Sequence, residues 1–428
     1  MTTLIESRSA PRLGRDWRLL LTGSTISMLG DGMFVAALPL LAATMTSDPR
    51  LVAGTTAAGT LPWLIASLPA GALADRSDAR RGIARVQWAQ AGLVAVLAVV
   101  ASVHAGRLLA LYGIAFGLGV AETFVRASAQ KLVPAVVPSA ELERANGHQN
   151  ASTFAAREFL GPPLGGLLFA LATPLPFWID AVSFSVSALL FVRMRARTNT
   201  ATSTCARRQL RGEIGEGLHW LLGHRLIRTL SGLAGVGNLC NYLAISTLVL
   251  FARDRLGLGN AGYGVLVGAM AIGGVAGALL SRRLVLRFGG RRIATTTIFT
   301  TPAAMIAIGV LGHDAVVVGA LATITSFGAS VWNVSVASLR QRTVPPELFG
   351  RVSSAGSLIS WGTQPIGAIL GGLLAAGLGL GAPWIIGGIV RLGAAFAALP
   401  ALREWRLERA APERAAPDRA ARGAGGAP

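Results

Sequence analysis

Long apolar runs alternate along the chain with short polar stretches rich in arginine. The runs lie at about 18–43, 51–74, 83–103, 108–130, 147–171, 174–193, 227–251, 260–281, 293–312, 315–339, 351–379 and 382–402. A helix of about 20 residues crosses a hydrocarbon layer ~30 Å thick, and each run reaches that length. The pattern predicts an all-α membrane protein with twelve transmembrane helices. One connection is longer, the basic segment Arg193 to Arg228. Its first part, Ala196 to Ala206, is Thr-rich and predicted mobile. Its second part sets Leu210, Ile214, Leu218, Trp220, Leu221 and Leu222 among Glu and Arg, which predicts an amphipathic helix at the membrane face. Past Leu402 the chain turns Ala/Pro/Arg/Gly-rich, a composition predicted to be disordered.

The runs repeat. Val137-Pro138 through Gly161-Pro-Pro-Leu-Gly-Gly-Leu-Leu168 can be laid on Val344-Pro345 through Gly367-Ala-Ile-Leu-Gly-Gly-Leu-Leu374, a shift of 206 residues at the glycines. Gly71, Leu73 and Arg76 fall on Gly277, Leu279 and Arg282 at the same shift of 206. Two separate stretches with one offset predict two pseudo-symmetric six-helix bundles, 18–193 and 227–402. A cytoplasmic N-terminal segment 1–17, the connection 194–226 and the tail 403–428 complete the division.

Composition agrees with this pattern. Only 14% of the 428 residues are charged, where a soluble chain carries about 25%. The net charge of +19 would suggest nucleic acid in a soluble protein, so its placement decides the matter. Lys131 is the only lysine among 39 basic residues, and 32 of the 39 fall on one side of the predicted bilayer. Arg50, Arg107, Arg253 and Arg255 fall on the other, and Arg126, Arg157 and Arg391 lie within spans. This is the positive-inside asymmetry, which places both termini in the cytoplasm and the chain in the cell membrane. Arginines dispersed among loops without interleaved aromatics exclude nucleic acid as a partner and favour anionic lipid headgroups. Cys205 and Cys240 make no disulfide framework, and the first apolar run is too long for a cleaved signal.

The turn between the second and third runs reads Gly71-Ala-Leu73-Ala-Asp75-Arg76-Ser-Asp78-Ala-Arg80-Arg81. Gly71 and Leu73 suit close helix approach, Asp75 ends the apolar run, and the arginines hold the turn in the cytoplasm. The stretch resembles the loop signature of the major facilitator superfamily, Gly-x-Leu-x-Asp-Arg-x-Gly-Arg-Arg, with Asp78 where glycine is usual. Ala121-Glu-Thr-Phe, Leu132-Val-Pro through Glu141-Leu-Glu-Arg-Ala-Asn146, Gly161-Pro-Pro-Leu-Gly-Gly and Glu216-Gly-Leu-His-Trp-Leu-Leu are similar to the branch holding the enterobactin exporter and the macrolide efflux proteins. The resemblance implies a gating role for Gly71, Asp75, Arg76, Arg80 and Arg81 at the turn. It implies the same for Gly161, Pro162, Gly165 and Gly166, an element associated with exporters, although Arg157 replaces its upstream glycine. In the second half Ser281 stands at the place of Asp75. A plain topogenic turn remains the alternative.

Ionisable groups inside spans cost ~2.5–3.5 kcal/mol each to insert and so call for a function. Asp31 lies ~20 Å along the first span, near the midplane, on one face with Phe34 and Leu38. Its near-counterpart in the repeat is the neutral Asn238, an exchange that suits a proton-coupling or cation-binding site; an Asp that only glues helices is the alternative. Glu122 and Arg126 stand four apart and can pair along one helix face, with contact to substrate or gate as the equal alternative; both, and Glu158, are cavity candidates. Arg157 and Glu158 are adjacent, and Arg157 is expected to line a central cavity and meet Asp31, Glu122 or an anionic part of a substrate. Asn150, Asn238, Asn241, Tyr242, Trp332, Asn333, Trp361 and Gln364 are further cavity candidates, while Arg391 has no evident role.

Together these features predict a monomeric secondary transporter that needs no cofactor or metal. Its expected partners are a small-molecule substrate, protons, with Asp31 and then Glu122 as coupling groups, and membrane lipids. Export of amphipathic compounds by proton antiport is the leading expectation. Import, lipid flipping and a non-transporting sensor are the alternatives. A membrane enzyme is disfavoured, since His104, His148, His219, His224 and His313 all lie at span ends or in loops without a His-Glu-x-x-His pattern.

Overall fold

The structure is a computed structural model describing residues 14–103, 108–138, 141–195, 206–345 and 348–404. The side chains of Ser67, Leu68, Ala72, Asp75, Glu143, Arg403, Glu404 and residues 206–214 lie outside that description. So do the expectations for 1–13, the Thr-rich stretch and the tail.

The described residues form helices in the order α1 (Arg15–Met45), α2 (Pro49–Ile65), α3 (Ser67–Arg76), α4 (Ala79–Ser102), α5 (Leu108–Val136), α6 (Leu142–Thr153), a π-helical segment Phe154–Leu160, α7 (Gly161–Leu171), α8 (Leu175–Val192) and α9 (Ala206–Gly223). There follow α10 (Arg225–Ile245), α11 (Leu248–Leu250), a second π-helical segment Phe251–Arg255, α12 (Asn260–Phe288), α13 (Gly290–Leu311), α14 (Ala315–Thr343), α15 (Phe349–Gly362), α16 (Gln364–Leu378) and α17 (Ala382–Glu404).

Short polar side chains set several helix starts. Asp48 accepts from the Arg50 amide at the head of α2, and Asp314 accepts from the Val316 and Val317 amides at the head of α14. The Arg50 side chain also donates to Asp48, which holds that carboxyl below its ordinary range. Asp78, unusual within the turn motif, caps α4 by accepting from the Arg81 amide at 3.0 Å.

Among the described residues nine helices are long and apolar enough to cross a membrane, with α15 and α16 taken as one. Ten are reached if the pair bent by 42° at α10 and α11 is one span. The expected twelve are therefore not met as continuous helices. The two that differ are broken: α2 gives way to α3 after Pro62, and α6 is polar and passes through a π-helical segment before Gly161-Pro162.

The first described helix starts and the last one finishes at one end of the bundle, here the terminal end. At the opposite end a single apolar core joins Leu40, Val52, Leu97, Leu111 and Phe177 to Phe251, Leu266, Ile308 and Trp384. At the terminal end the core divides into one cluster around Trp17, Ile83, Leu132 and Phe191 and another around Leu226, Ala294, Leu339 and Leu402. The seam between the two sequence halves is thus sealed at one end and parted at the other.

Glycines of the repeat explain the seal. Gly161 packs on Gly32 and Gly165 on the Met33 backbone of α1, while Gly166 packs on Gly264 of α12 across the seam. At the shift of 206, Gly367 packs on Leu239 and Gly371 on Leu243 of α10, and Gly372 packs on Arg50 and Ala53 of α2 across the seam. The first two glycines of each set let α7 or α16 touch its own first helix. The third lets it touch the other half.

At Gly71 the expected close helix approach is not made among the described residues, since a Cβ there would meet nothing within 4 Å. Its counterpart Gly277 instead packs on the Phe327 backbone. The described part of α9 docks on the start of α15, with Leu221 buried against Val352 and Ala355 and Glu216 ion-paired to Arg351 at 2.5 Å. Leu218 and Leu222 stay exposed, so the amphipathic face is divided between protein and surroundings.

Candidate functional site: a charged cavity at the seam

Between the halves lies a cavity of about 750 Å³, walled by α1, α2, α5, the first π-helical segment and α8 on one side and by α10, α12, α13, α14 and α17 on the other. Its volume falls within the ~300–1,000 Å³ typical of small-molecule sites. Most of the wall is apolar or aromatic, and the charges are grouped.

Asp31, Phe34, Glu122, Arg157 and Glu158 all line it. Arg157 donates to the Glu122 carboxylate at 2.5 Å, with the two side chains 24% and 26% exposed. Asp31, Glu122 and Arg157 lie within electrostatic reach of one another. A π-helical segment advances less than 100° per residue, and this brings the adjacent Arg157 and Glu158 to one wall. Gly32 lets that segment lie directly on α1, because a Cβ would meet the Arg157 carbonyl.

The pair expected between Glu122 and Arg126 is replaced. Glu122 reaches across to Arg157, and Arg126 places its guanidinium 5.0 Å from the Trp63 ring centroid and 5.2 Å from that of Trp361. The two indoles stand edge to face at 4.9 Å, one from each half. A guanidinium beside two aromatic rings gains quadrupole attraction from each. Trp361 therefore takes part in a bridge across the seam rather than in the cavity wall.

Asn238, Asn241, Tyr242, Trp332, Asn333 and Gln364 line the second half's wall, with Asn238 donating to Ser360 Oγ at 2.6 Å. Asn150 does not join them: it is exposed on α6, and Thr153 and Phe154 line the cavity one turn on. Pro162 lines the cavity where α7 begins. At the turn, Arg76 and Arg81 are exposed, and Arg80 donates to the Met194 and Val192 carbonyls of its own half. The side chain of Asp75 lies outside the described residues.

Two charged residues of the wall had no assignment from sequence. Asp180 of α8 is 1% exposed and packs where Gly30 of α1 offers no side chain. Ser183 donates to its Oδ1 at 3.2 Å, and its Oδ2 is buried without a partner among the described residues. An acid inside the run Phe177-Trp-Ile-Asp180-Ala-Val was the signal that could have found it. Arg391 of α17 is the other.

The model of the Major Facilitator Superfamily matches residues 20–362. The chain is 27% identical over 410 residues to the multidrug efflux pump Tap of Mycobacterium tuberculosis, covering 90% of this chain and 94% of that protein. It is 28% identical over 411 residues to Tap of Mycolicibacterium fortuitum, covering 90% and 96%. Among solved structures, a bacterial homologue of the iron transporter ferroportin in its inward-facing state superposes with a TM-score of 0.70 at 18% identity, covering 91% of this chain and 98% of that one. A bacterial homologue of the lysosomal transporter Spinster gives 0.67 at 15%, covering 94% and 98%. With its helical fold and a family match over most of its length, the chain belongs to the major facilitator superfamily of membrane transporters.

Proposed function

We propose that this transporter exports amphipathic small molecules in exchange for protons, by alternating access of the seam cavity to the two membrane faces. The carrying observation is the grouping of Asp31, Glu122 and Arg157 on one wall of a cavity that both halves complete. Glu122 is engaged by Arg157, while Asp31 lines the same wall without an ion pair among the described residues and is the acid to which we assign the proton gained and lost. A proton on Asp31 removes one of the negative charges that face Arg157, those of Glu122 and Glu158 remaining. The electrostatic balance of a wall contacting both α1 and α7 then shifts.

Residues 18–193 and 227–402 serve as the two rigid bodies, and the Gly166 and Gly372 contacts are the seal that opens when they rock. The arginine asymmetry supports a cytoplasmic position for the terminal end, where the core is parted. The chain works as a monomer in the cell membrane. The large, largely apolar cavity and the likeness to Tap, itself a multidrug efflux pump, support amphipathic cargo leaving the cell.

The test is uptake of a lipophilic fluorescent dye into everted membrane vesicles with an imposed proton gradient. Wild type should accumulate dye inside, and Asp31→Asn should reach the membrane folded but accumulate none. Accumulation undiminished in the variant would remove Asp31 from coupling. Dye movement in the opposite sense would make the protein an importer.

A further inference from the structure

The charged residues of the cavity wall divide unequally between the halves. Asp31, Glu122, Glu158 and Asp180 bring four carboxyls from the first half, with Arg157 held by Glu122. The second half contributes one charged lining residue among those described, Arg391. Its guanidinium Nη1 lies 3.5 Å from Met305 Sδ, a thioether that can offset little of its charge. Its titratable neighbour is the Cys240 thiol. No carboxylate among the described residues stands within ion-pair distance of it.

The place where Arg391 packs has a parallel in the first half. In the first half, Gly30 is where an acid of the sixth span, Asp180, docks on the first span. In the second half the matching dipeptide is Gly237-Asn238, and a Cβ on Gly237 would lie 3.7 Å from Arg391 Nη2. Arg391 thus meets the first span of its half at the place where Asp180 meets its own, with the charge inverted. A cation kept inside a membrane span without an internal counter-ion is costly unless water or a ligand's anion meets it.

We propose that Arg391 is an anion subsite, and that the transported molecules carry a carboxylate or similar monoanion which docks there. Their apolar body fills the cavity, and any donor or cationic group faces the acidic wall. This rests on the reading of the seam cavity as the transport site. It narrows the cargo from amphipathic compounds in general to acids and zwitterions.

The test uses purified full-length protein and two probes, a rhodamine bearing a free benzoate and its methyl ester, with equilibrium binding followed by fluorescence anisotropy. Wild type should bind the benzoate form about tenfold or more tightly than the ester, the factor expected of a charge-assisted hydrogen bond. Free benzoate should displace the acid probe and leave the ester bound. Arg391→Gln should erase the preference with ester affinity unchanged. Arg391→Lys should keep a reduced preference, since an ammonium lacks the planar fork. Equal affinity for the two probes in wild type, no binding of either, or a preference that persists in Arg391→Gln would overturn the proposal. If Arg391→Gln does not fold, an undiminished preference in Arg391→Lys overturns it. Selective binding without movement of either probe across a vesicle membrane would uphold the anion subsite and remove the transport reading.

Discussion

Gly165 and Gly166 are neighbours in sequence, yet one packs within its half and the other across the seam. A methyl on Gly166 would sit 2.5 Å from Gly264 Cα and 3.0 Å from its amide nitrogen, both backbone atoms that cannot turn aside. Restoring an ordinary carbon contact of ~3.5 Å requires α7 and α12 to part by about 1 Å. Overpacking of this kind costs about 1–3 kcal/mol, and only in the state where the opposite end is sealed. The ratio of open to sealed molecules at that end should therefore rise about 5- to 150-fold in Gly166→Ala.

A methyl on Gly165 would press on Met33 Cα at 2.8 Å, inside the first half, and burden both states alike. The gain in helix propensity on replacing glycine, up to ~1 kcal/mol, is common to both variants and cancels in the ratio. The assay is spin-label distance measurement between cysteines placed at Leu171 and Val316, which are 78% and 81% exposed and belong to different halves. Cys205 and Cys240 are first replaced by serine. Gly166→Ala should populate longer distances, and Gly165→Ala should lower thermal stability with the distances unchanged. Identical distance distributions in folded Gly166→Ala and wild type would refute the reasoning.

Three further outcomes are expected. Glu122→Gln strips Arg157 of its counter-ion and should cost up to about 3 kcal/mol in detergent thermal stability, a loss that Glu122→Gln with Arg157→Gln largely restores; equal losses in the single and double variants would contradict this. A double-mutant cycle of Arg126→Gln and Trp361→Leu should return a coupling of about 1–2 kcal/mol from the cation–aromatic bridge, and additive effects would contradict it. Gly30→Ala drives a methyl into Asp180 and Ser183 and should destabilise by about 1–3 kcal/mol, a penalty that Asp180→Ala in the same chain relieves; a thermal-shift measurement finding no relief would contradict it.

Much of this was legible in the sequence because lipid imposes so few solutions. Apolar run length gave the spans, and the shift of 206 pointed to equivalent glycines that pack in equivalent ways. Breaks were less legible. The π-helical segment at Phe154–Leu160 is a register change that no residue announces, and it carries Arg157 and Glu158 to one wall while leaving Asn150 outside. Two arginines were in prospect for Glu122: Arg126 at i+4, which it does not take, and Arg157, expected at the cavity, which it does; the two indoles beside Arg126 are brought near only by tertiary packing. Gly71 looked like a packing glycine from its motif, but what a glycine touches is decided by a neighbour the motif does not contain. Asp180 was within reach of the rule that exposed Asp31, an acid in an apolar run.

The central claim is that one cavity opens in turn to both membrane faces. It is tested most directly by a cysteine at Ser326, which lines the cavity, in a chain lacking Cys205 and Cys240. A membrane-impermeant thiol reagent is applied to right-side-out and to inside-out vesicles. The account predicts modification from either face, slower from the face opposite the termini, and selectively faster from that face in Gly166→Ala. Modification from one face alone, in both wild type and Gly166→Ala, would contradict it.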